Sequence, residues 1–159
     1  MTGPTIRRHR VTVHTFSQRF YAIPLGVRLA RRHARLRLDR WGIPFGSESS
    51  DAAALIVAEL AANAVAHTGA TPGAEFALRL MLQPGALRIE VTDAAGSVRP
   101  PEPGDLGAPD DEAESGRGLI LVAALADRWS VLDAPAGGKT VRVELDLPVD
   151  TGVNPGPLL

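Results

Sequence analysis

The chain has no cysteine and only one lysine, Lys139, in 159 residues. The lack of thiols excludes a disulfide framework, a thiolate metal site and cysteine catalysis, and it suits a reducing cytoplasm. No stretch reaches the roughly 18 uninterrupted apolar residues of a membrane span, and residues 1–10 lack the apolar run of a secretory signal. These absences predict a cytoplasmic protein with no membrane partner.

Hydrophobic residues make up 45% of the chain and charged residues 22%, as in globular proteins. A chain of this length can bury a core without disulfides or metals. We expect a single domain over residues 1–148, followed by a flexible tail over residues 149–159.

Positive charge is concentrated in the first quarter of the chain. Residues 1–40 hold ten arginines and one acid, a net charge of +9, whereas the remainder carries −10. Residues 25–41 read as a helix, because Pro24 can begin it and Gly42 and Pro44 can end it. We expect one side of this helix to be apolar and the other basic. The apolar side carries Leu25, Leu29, Leu36 and Trp41, and the basic side carries Arg28, Arg31, Arg32 and Arg35.

A basic helix is one feature of nucleic-acid-binding proteins. No aromatic residues interleave with these arginines, and aromatics total only 4% of the chain. A solvated helix face, or a surface for an acidic protein partner, is the favoured interpretation. A nucleic-acid partner is not expected.

Hydrophobic periodicity and turn residues predict eight helices and strands. The predicted strands are 11–16, 75–82, 87–91, 129–132 and 140–147, and the predicted helices are 25–41, a second helix capped by Ser49, Ser50 or Asp51 and closed by Gly69, and 118–127. Residues 94–115 are rich in glycine, proline and acids, and form a loop too long for a simple connection. This order predicts a two-layer α/β sandwich, with helices packed on one face of a mixed, mostly antiparallel sheet.

Two polar side chains interrupt an otherwise apolar helical segment, residues 52–66. An apolar helix of this kind is buried, and a buried Glu59 or Asn63 is costly unless it is paired or binds something. The spacing of four places both on one face, and His67 continues the stripe one turn later. Structural interpretations compete with binding: Glu59 can pair with an arginine, Asn63 can bond a loop backbone, and His67 can cap the helix end. The combination with the loop that follows favours a binding site.

Asp93 ends a predicted strand and shares the parity of Leu87, Ile89 and Val91, so it points to the buried side. A carboxylate there needs a donor, and a ligand amino group is one candidate. Gly96 nearby would let that ligand approach the backbone. An Asx turn at the strand end is the alternative.

The segment ESGRGL, residues 114–119, opens the third helix directly after the long loop. Free N–H groups and the helix dipole make a helix start attractive to anions. Gly116 and Gly118 would let phosphate oxygens reach the backbone, and Arg117 would add positive charge. An ordinary glycine hinge is the alternative. The chain has neither a GxxxxGKS/T phosphate loop nor a GxGxxG dinucleotide fingerprint.

Four segments, in order, resemble the motifs of the histidine kinase-like ATPase family: LIVAELAANAVAHTG, EVTD with a nearby glycine, ESGRGLILVAALADRW and GGKTV. More narrowly, the chain resembles the stand-alone anti-sigma factor serine/threonine kinases of that family. The resemblance covers roughly residues 20–148. The broader family often reads D-x-G-x-G, whereas here Gly96 follows Asp93 with the glycine displaced by one position.

The resemblance implies a role for each polar residue of the second helix. Glu59 would activate the attacking hydroxyl or water. Asn63 would bind Mg²⁺ through its amide oxygen, and His67 would lie near the phosphates of ATP.

It also implies where the nucleotide lies. Asp93 would accept a hydrogen bond from the adenine amino group, and Gly96 would lie beside the base. Thr140 would lie near the adenine, although strand alternation places it on the face opposite Val141. Residues 97–115 would form a lid. The implied phosphate contacts are Gly116, Arg117, Gly118 and Leu119.

The implied function is an ATP-binding regulatory protein, with Mg²⁺ as cofactor, that phosphorylates a serine or threonine of a small partner protein of the anti-anti-sigma type. A sigma factor is a second implied partner, and a homodimer is left open. The alternative is a non-catalytic, nucleotide-dependent protein-binding module. A two-component sensor kinase is not expected, because His33 is followed by Ala34 and Arg35 rather than by an acid.

Overall fold

The computed structural model describes residues 13–68, 71–93, 114–134 and 137–148, with the backbone alone for 114–117. These residues form β1 (His14–Tyr21), α1 (Pro24–Arg40), α2 (Glu48–Thr68), β2 (Glu75–Gln83), β3 (Ala86–Asp93), α3 (Glu114–Leu125), β4 (Arg128–Asp133) and β5 (Lys139–Asp146). All eight predicted elements are present. The predictions for Gly69, Gly96, residues 97–113 of the lid and the tail over 149–159 lie outside the described residues.

The strands form one sheet in the order β1-β2-β3-β5-β4. Each pair of neighbouring strands in it is antiparallel. A turn at Pro84 and Gly85 closes the β2–β3 hairpin, and the φ of 77° at Gly85 suits glycine. Helix α2 contacts β2, β3 and β5. The predicted two-layer α/β sandwich is therefore confirmed, with a sheet that is antiparallel throughout the described residues.

The two faces of the sheet differ as the sequence alternation predicts. The helix-facing side is fully buried at Phe76, Leu78, Leu80, Leu87, Ile89 and Val143. On the opposite face, Arg88 donates to Glu144 at 3.0 Å and Arg142 donates to Glu90 at 2.9 Å. Hydrogen bonds from Arg128 and Arg88 lower the pKa of Glu144. These ion pairs link strands on the polar face and leave the helix-facing side for the core.

Helix α2 is the central element of the fold. It contacts α1, α3 and three strands, and ten of its 21 residues are buried. By length and composition alone it is apolar enough to cross a membrane. Its burial between the sheet and the other two helices accounts for the same composition, because a core helix is apolar on several sides.

The buried side of α1 differs from the apolar side predicted from the sequence. The buried residues are Gly26, Ala30, Ala34 and Leu38. Of the predicted apolar side, Trp41 packs against the core, whereas Leu25, Leu29 and Leu36 are 49%, 38% and 45% exposed. Small residues spaced by four let α1 approach its neighbours α2 and β1 closely, so they and not the bulkier leucines occupy the contact.

Two boundaries also differ from prediction. Strand β1 continues past Phe16 to Tyr21, because pairing with β2 holds its polar residues in the ladder. Helix α2 begins at Glu48, and the Ser47 hydroxyl caps it by accepting the Ser50 N–H at 3.2 Å. The cap therefore precedes all three predicted candidates, Ser49, Ser50 and Asp51.

Candidate functional site

Helix α2 carries Glu59, Asn63 and His67 along one stripe, because each follows the last by four residues. Asn63 is only 6% exposed, and Glu59 and His67 are half-buried. The stripe places a carboxylate, an amide and an imidazole in line on the core helix of the domain.

The amide of Asn63 is incompletely hydrogen-bonded within the described part of the chain. Its buried Nδ2 donates to no acceptor there. An orphaned buried donor costs about 1–3 kcal/mol, so native proteins retain few of them. An amide can serve two ligand groups, since Nδ2 suits a phosphate oxygen and Oδ1 suits a hard cation.

Glu59 lies directly against the backbone of α3. A β-carbon added at Gly118 would stand 2.5 Å from Oε2 of Glu59 and 3.5 Å from its Cδ. A glycine at this position therefore leaves the space that the carboxylate occupies. The contact brings two predicted residues together from α2 and α3.

Helix α3 begins at Glu114, four residues before the predicted start. Gly116 and Arg117 therefore lie within its first turn, and Gly118 lies inside the helix rather than at its first position. The first N–H groups of a helix have no intrahelical partner, so this turn keeps backbone donors for an anion. The Leu119 side chain is buried in the core, and its N–H, six residues into α3, lies beyond the four that lack an intrahelical partner.

The imidazole of His67 is close enough to Asp93, at the end of β3, and to Lys139, at the start of β5, for their charges to affect its pKa. Burial lowers its pKa most, Lys139 lowers it further, and Asp93 acts in the opposite direction. The imidazole is therefore favoured in its neutral form near pH 7. These couplings bring the end of α2 together with the end of β3 and the start of β5.

A row of charged residues crosses three strands at this end of the sheet. Asp93 of β3 is the register partner of Lys139 of β5, which in turn pairs with Asp133 of β4. Directly paired residues of antiparallel strands share a face, and Asp93 lies on the helix-facing side with Val91. Lys139 is 2% exposed and Asp93 is 8% exposed.

Sequence reasoning missed Lys139. It shares the parity of Val141, Val143 and Leu145, and that parity would have placed it on the buried side. The predicted strand began one residue later, at Thr140, and so did not include the lysine.

The structure separates Thr140 from these residues. Its hydroxyl lies 2.6 Å from that of Thr92, in a hydrogen bond on the polar face of the sheet. Glu59, Asn63, His67 and Asp93 therefore form one group on the helix side, and Thr140 is not part of it.

Asp93 also lines a cavity of about 260 Å³ at the end of the sheet. The rest of its lining is Arg19, Glu75, Phe76, Ala77, Thr92, Ala134 and Gly138. Ala77 and Thr92 belong to the polar face, so the cavity extends from Asp93 around the end of the sheet onto that face.

The described part of the chain holds no cluster of three or more His, Asp or Glu side chains suited to a metal ion. A Mg²⁺ ion at Asn63 would take most of its ligands from phosphate oxygens and water, which is usual for this ion at nucleotide sites. The orphaned amide fits that arrangement, because it supplies one oxygen and one donor.

Comparison with known proteins gives one family. The model of the histidine kinase-like ATPase domain matches residues 23–145. A search of curated proteins finds no significant match. The family match runs from the start of α1 to the end of β5 and includes every residue of the group on α2, β3 and α3. Because it spans well over half of the chain, the protein belongs to the histidine kinase-like ATPase domain family and is an ATP-binding protein.

Proposed function

We propose that the protein is a serine/threonine protein kinase of the anti-sigma type, which uses ATP to phosphorylate a small regulatory protein in the cytoplasm. The observation that carries the proposal is the orphaned amide of Asn63, one helical turn from the carboxylate of Glu59. Mg-ATP would supply the missing partner of the Asn63 amide, and the hydroxyl of the partner protein would bind the carboxylate of Glu59.

The reaction transfers the γ-phosphoryl group of ATP to that hydroxyl. A bond forms between the hydroxyl oxygen and the γ-phosphorus, the bond to the β,γ-bridging oxygen breaks, and ADP leaves. Glu59 orients the hydroxyl and accepts its proton. Its contact with Gly118 supports this role, because the backbone of α3 limits where the carboxylate can move.

The remaining residues bind the nucleotide. Asn63 holds Mg²⁺ through Oδ1 and donates from Nδ2 to a phosphate oxygen. When bound, Mg²⁺ would neutralise negative charge on the phosphates. Backbone N–H groups of the first turn of α3 add donors, and Asp93 accepts from the adenine amino group.

The outer side of α1 supports a protein as the second substrate. We name the exposed residues Leu25, Leu29, Leu36, Arg28, Arg31, Arg32 and Arg40 the leucine-arginine face. Three leucines in one stripe offer apolar area, and the arginines beside them favour negative charge. An acidic protein surface with apolar side chains fits both features, whereas a nucleic-acid backbone would leave the leucines in water.

The same charge argues against this face as a homodimer contact. A two-fold axis would set the arginines of one copy against those of the other, and like charges destabilise such an interface. We therefore assign the face to a different chain, and a sigma factor is a second candidate for it.

Transfer of radiolabelled phosphate tests the proposal. Purified protein is incubated with γ-labelled ATP, Mg²⁺ and candidate partner proteins, and phosphoserine or phosphothreonine is identified in the partner. Glu59→Gln is expected to bind ATP with unchanged affinity and to transfer at least 100-fold more slowly, since general-base assistance contributes about 10²–10⁴-fold. Glu48→Gln, at an exposed position of the same helix, is the matched control.

The two versions of the function separate in this assay. If partners bind in an ATP-dependent manner but no label is transferred, the kinase is rejected and the non-catalytic binding module replaces it. Equal transfer by Glu59→Gln and the control would remove Glu59 from the reaction.

A further inference from the structure

The single lysine of the chain, Lys139, is buried on β5, with an aspartate as its register partner on each neighbouring strand. Asp93, Lys139 and Asp133 occupy one row across β3, β5 and β4. With 2% of its surface exposed, Lys139 is among the largest fully buried side chains of the described residues. A buried ammonium group is tolerated only when it is paired, and the register places the buried Asp93 and the exposed Asp133 beside it.

Stability alone does not explain this row. The next pairs between β3 and β5 on the same face are apolar, namely Val91 with Val141, Ile89 with Val143 and Leu87 with Leu145. A buried ion pair is often no more stabilising than apolar residues of similar volume. The charges are confined to the end of the sheet where Asp93 lines a cavity and His67 ends the polar stripe of α2.

The row matches one edge of adenine. A carboxylate only accepts hydrogen bonds and an ammonium group only donates them. The Watson–Crick edge of adenine carries a donor, the 6-amino group, directly beside an acceptor, N1. We propose that Lys139 donates to N1 while Asp93 accepts from the amino group, so that the two residues read the base together.

Mutual pairing does not prevent this arrangement. A carboxylate has two oxygens with about four lone-pair sites, and an ammonium group has three donors. Each residue can hold the other and still engage the base. The inference rests on ATP binding, the proposed use of this site, and it adds a base-reading role for Lys139.

The test uses an ATP analogue in which one atom is changed. In 1-deaza-ATP the N1 nitrogen is a C–H group, and the amino group that Asp93 would bind is retained. Isothermal titration measures the Kd of both nucleotides, with Mg²⁺, for the wild type, for Lys139→Met and for Arg142→Met. Arg142 is a cation on the same strand whose side chain pairs with Glu90 on the opposite face, so its replacement is the matched control.

The wild type and Arg142→Met are expected to bind 1-deaza-ATP about 10-fold or more weakly than ATP, the effect of a hydrogen bond to a charged group. Lys139→Met is expected to bind ATP about 10-fold more weakly than the wild type and to bind the two nucleotides equally. This non-additivity is the signature of direct contact between Lys139 and N1.

The wild-type comparison can overturn the inference even if Lys139→Met does not fold. Equal wild-type affinities for ATP and 1-deaza-ATP would overturn the inference and leave ATP binding intact. Equal discrimination by the wild type and a folded Lys139→Met would also overturn it, because another group would then read N1. Absence of ATP binding in every metal condition would instead overturn the proposed function itself.

Discussion

The carboxylate of Glu59 fills the space that a side chain at Gly118 would need, with Oε2 2.5 Å from the position of the missing β-carbon. Two helices therefore meet at this point through one acid and one glycine. The glycine is required by the contact and not by its backbone angle, since it lies inside α3.

Gly118→Ala tests this contact. Alanine favours a helix interior over glycine by about 1 kcal/mol, so we expect thermal stability to stay level or rise slightly. The new methyl group displaces the end of the flexible Glu59 side chain, and we expect phosphoryl transfer to fall at least 10-fold with ATP affinity little changed. Calorimetry and the labelled-phosphate assay measure both. Undiminished transfer by a folded variant would show that the position of Glu59 is not restricted by α3.

Asn63→Ala separates binding from folding. Removing the amide removes an orphaned buried donor worth about 1–3 kcal/mol, which offsets the packing that is lost, so unfolding in urea should change little. The stabilisation that Mg-ATP gives the wild type should disappear. Ala66→Ser, exposed on the same helix, is the control. An equal Mg-ATP stabilisation in Asn63→Ala would remove Asn63 from the site.

The lowered pKa of His67 predicts that the folded protein loses stability in mild acid. Its pKa in the folded protein is below the ordinary value of 6.5, so the unfolded chain binds its proton more readily. The stability that neutral His67 contributes is present in full above pH 6.5 and is lost as the pH falls from there through the lowered pKa. We expect His67→Gln to lose less stability than the wild type between pH 7 and pH 5. The difference between the two proteins at pH 8 serves as the baseline, and parallel curves would contradict the assignment.

Two leucines of α1 test the corrected helix orientation. Leu38→Ala should lower the free energy of unfolding by about 2–5 kcal/mol, because Leu38 is fully buried. Leu29→Ala should change it by no more than about 0.5 kcal/mol, because Leu29 belongs to the exposed leucine-arginine face. The Leu29→Ala substitution should instead weaken binding of the partner protein. A large loss of stability in Leu29→Ala would restore the orientation that the sequence predicts.

The β2–β3 hairpin was predictable because two local signals agree. Large apolar residues occupy every second position on the buried face of both strands, and Pro84 with Gly85 supplies a turn between them. The polar stripe of α2 was predictable for a similar reason, since Glu59 and Asn63 stand out in an apolar helix.

Features that depend on neighbouring elements were not predictable in the same way. The buried side of α1 was misassigned because leucine content suggested it, whereas the contact is made by Ala30 and Ala34, whose small size matters only once a second helix is close. The burial of Lys139 was missed because the predicted strand began at Thr140, whereas β5 begins at Lys139 and the alternation with Val141 then places the lysine on the buried face.

Because α2 is central to the fold, ATP bound to it would also slow degradation of the protein. The same helix joins both layers of the fold and carries the groups that ATP would engage, so occupancy also opposes unfolding. At a nucleotide concentration 100 times its Kd, this linkage amounts to about 2.7 kcal/mol. Proteases cleave the unfolded chain. A cell with little free ATP would therefore degrade this protein faster than a cell in which ATP is abundant.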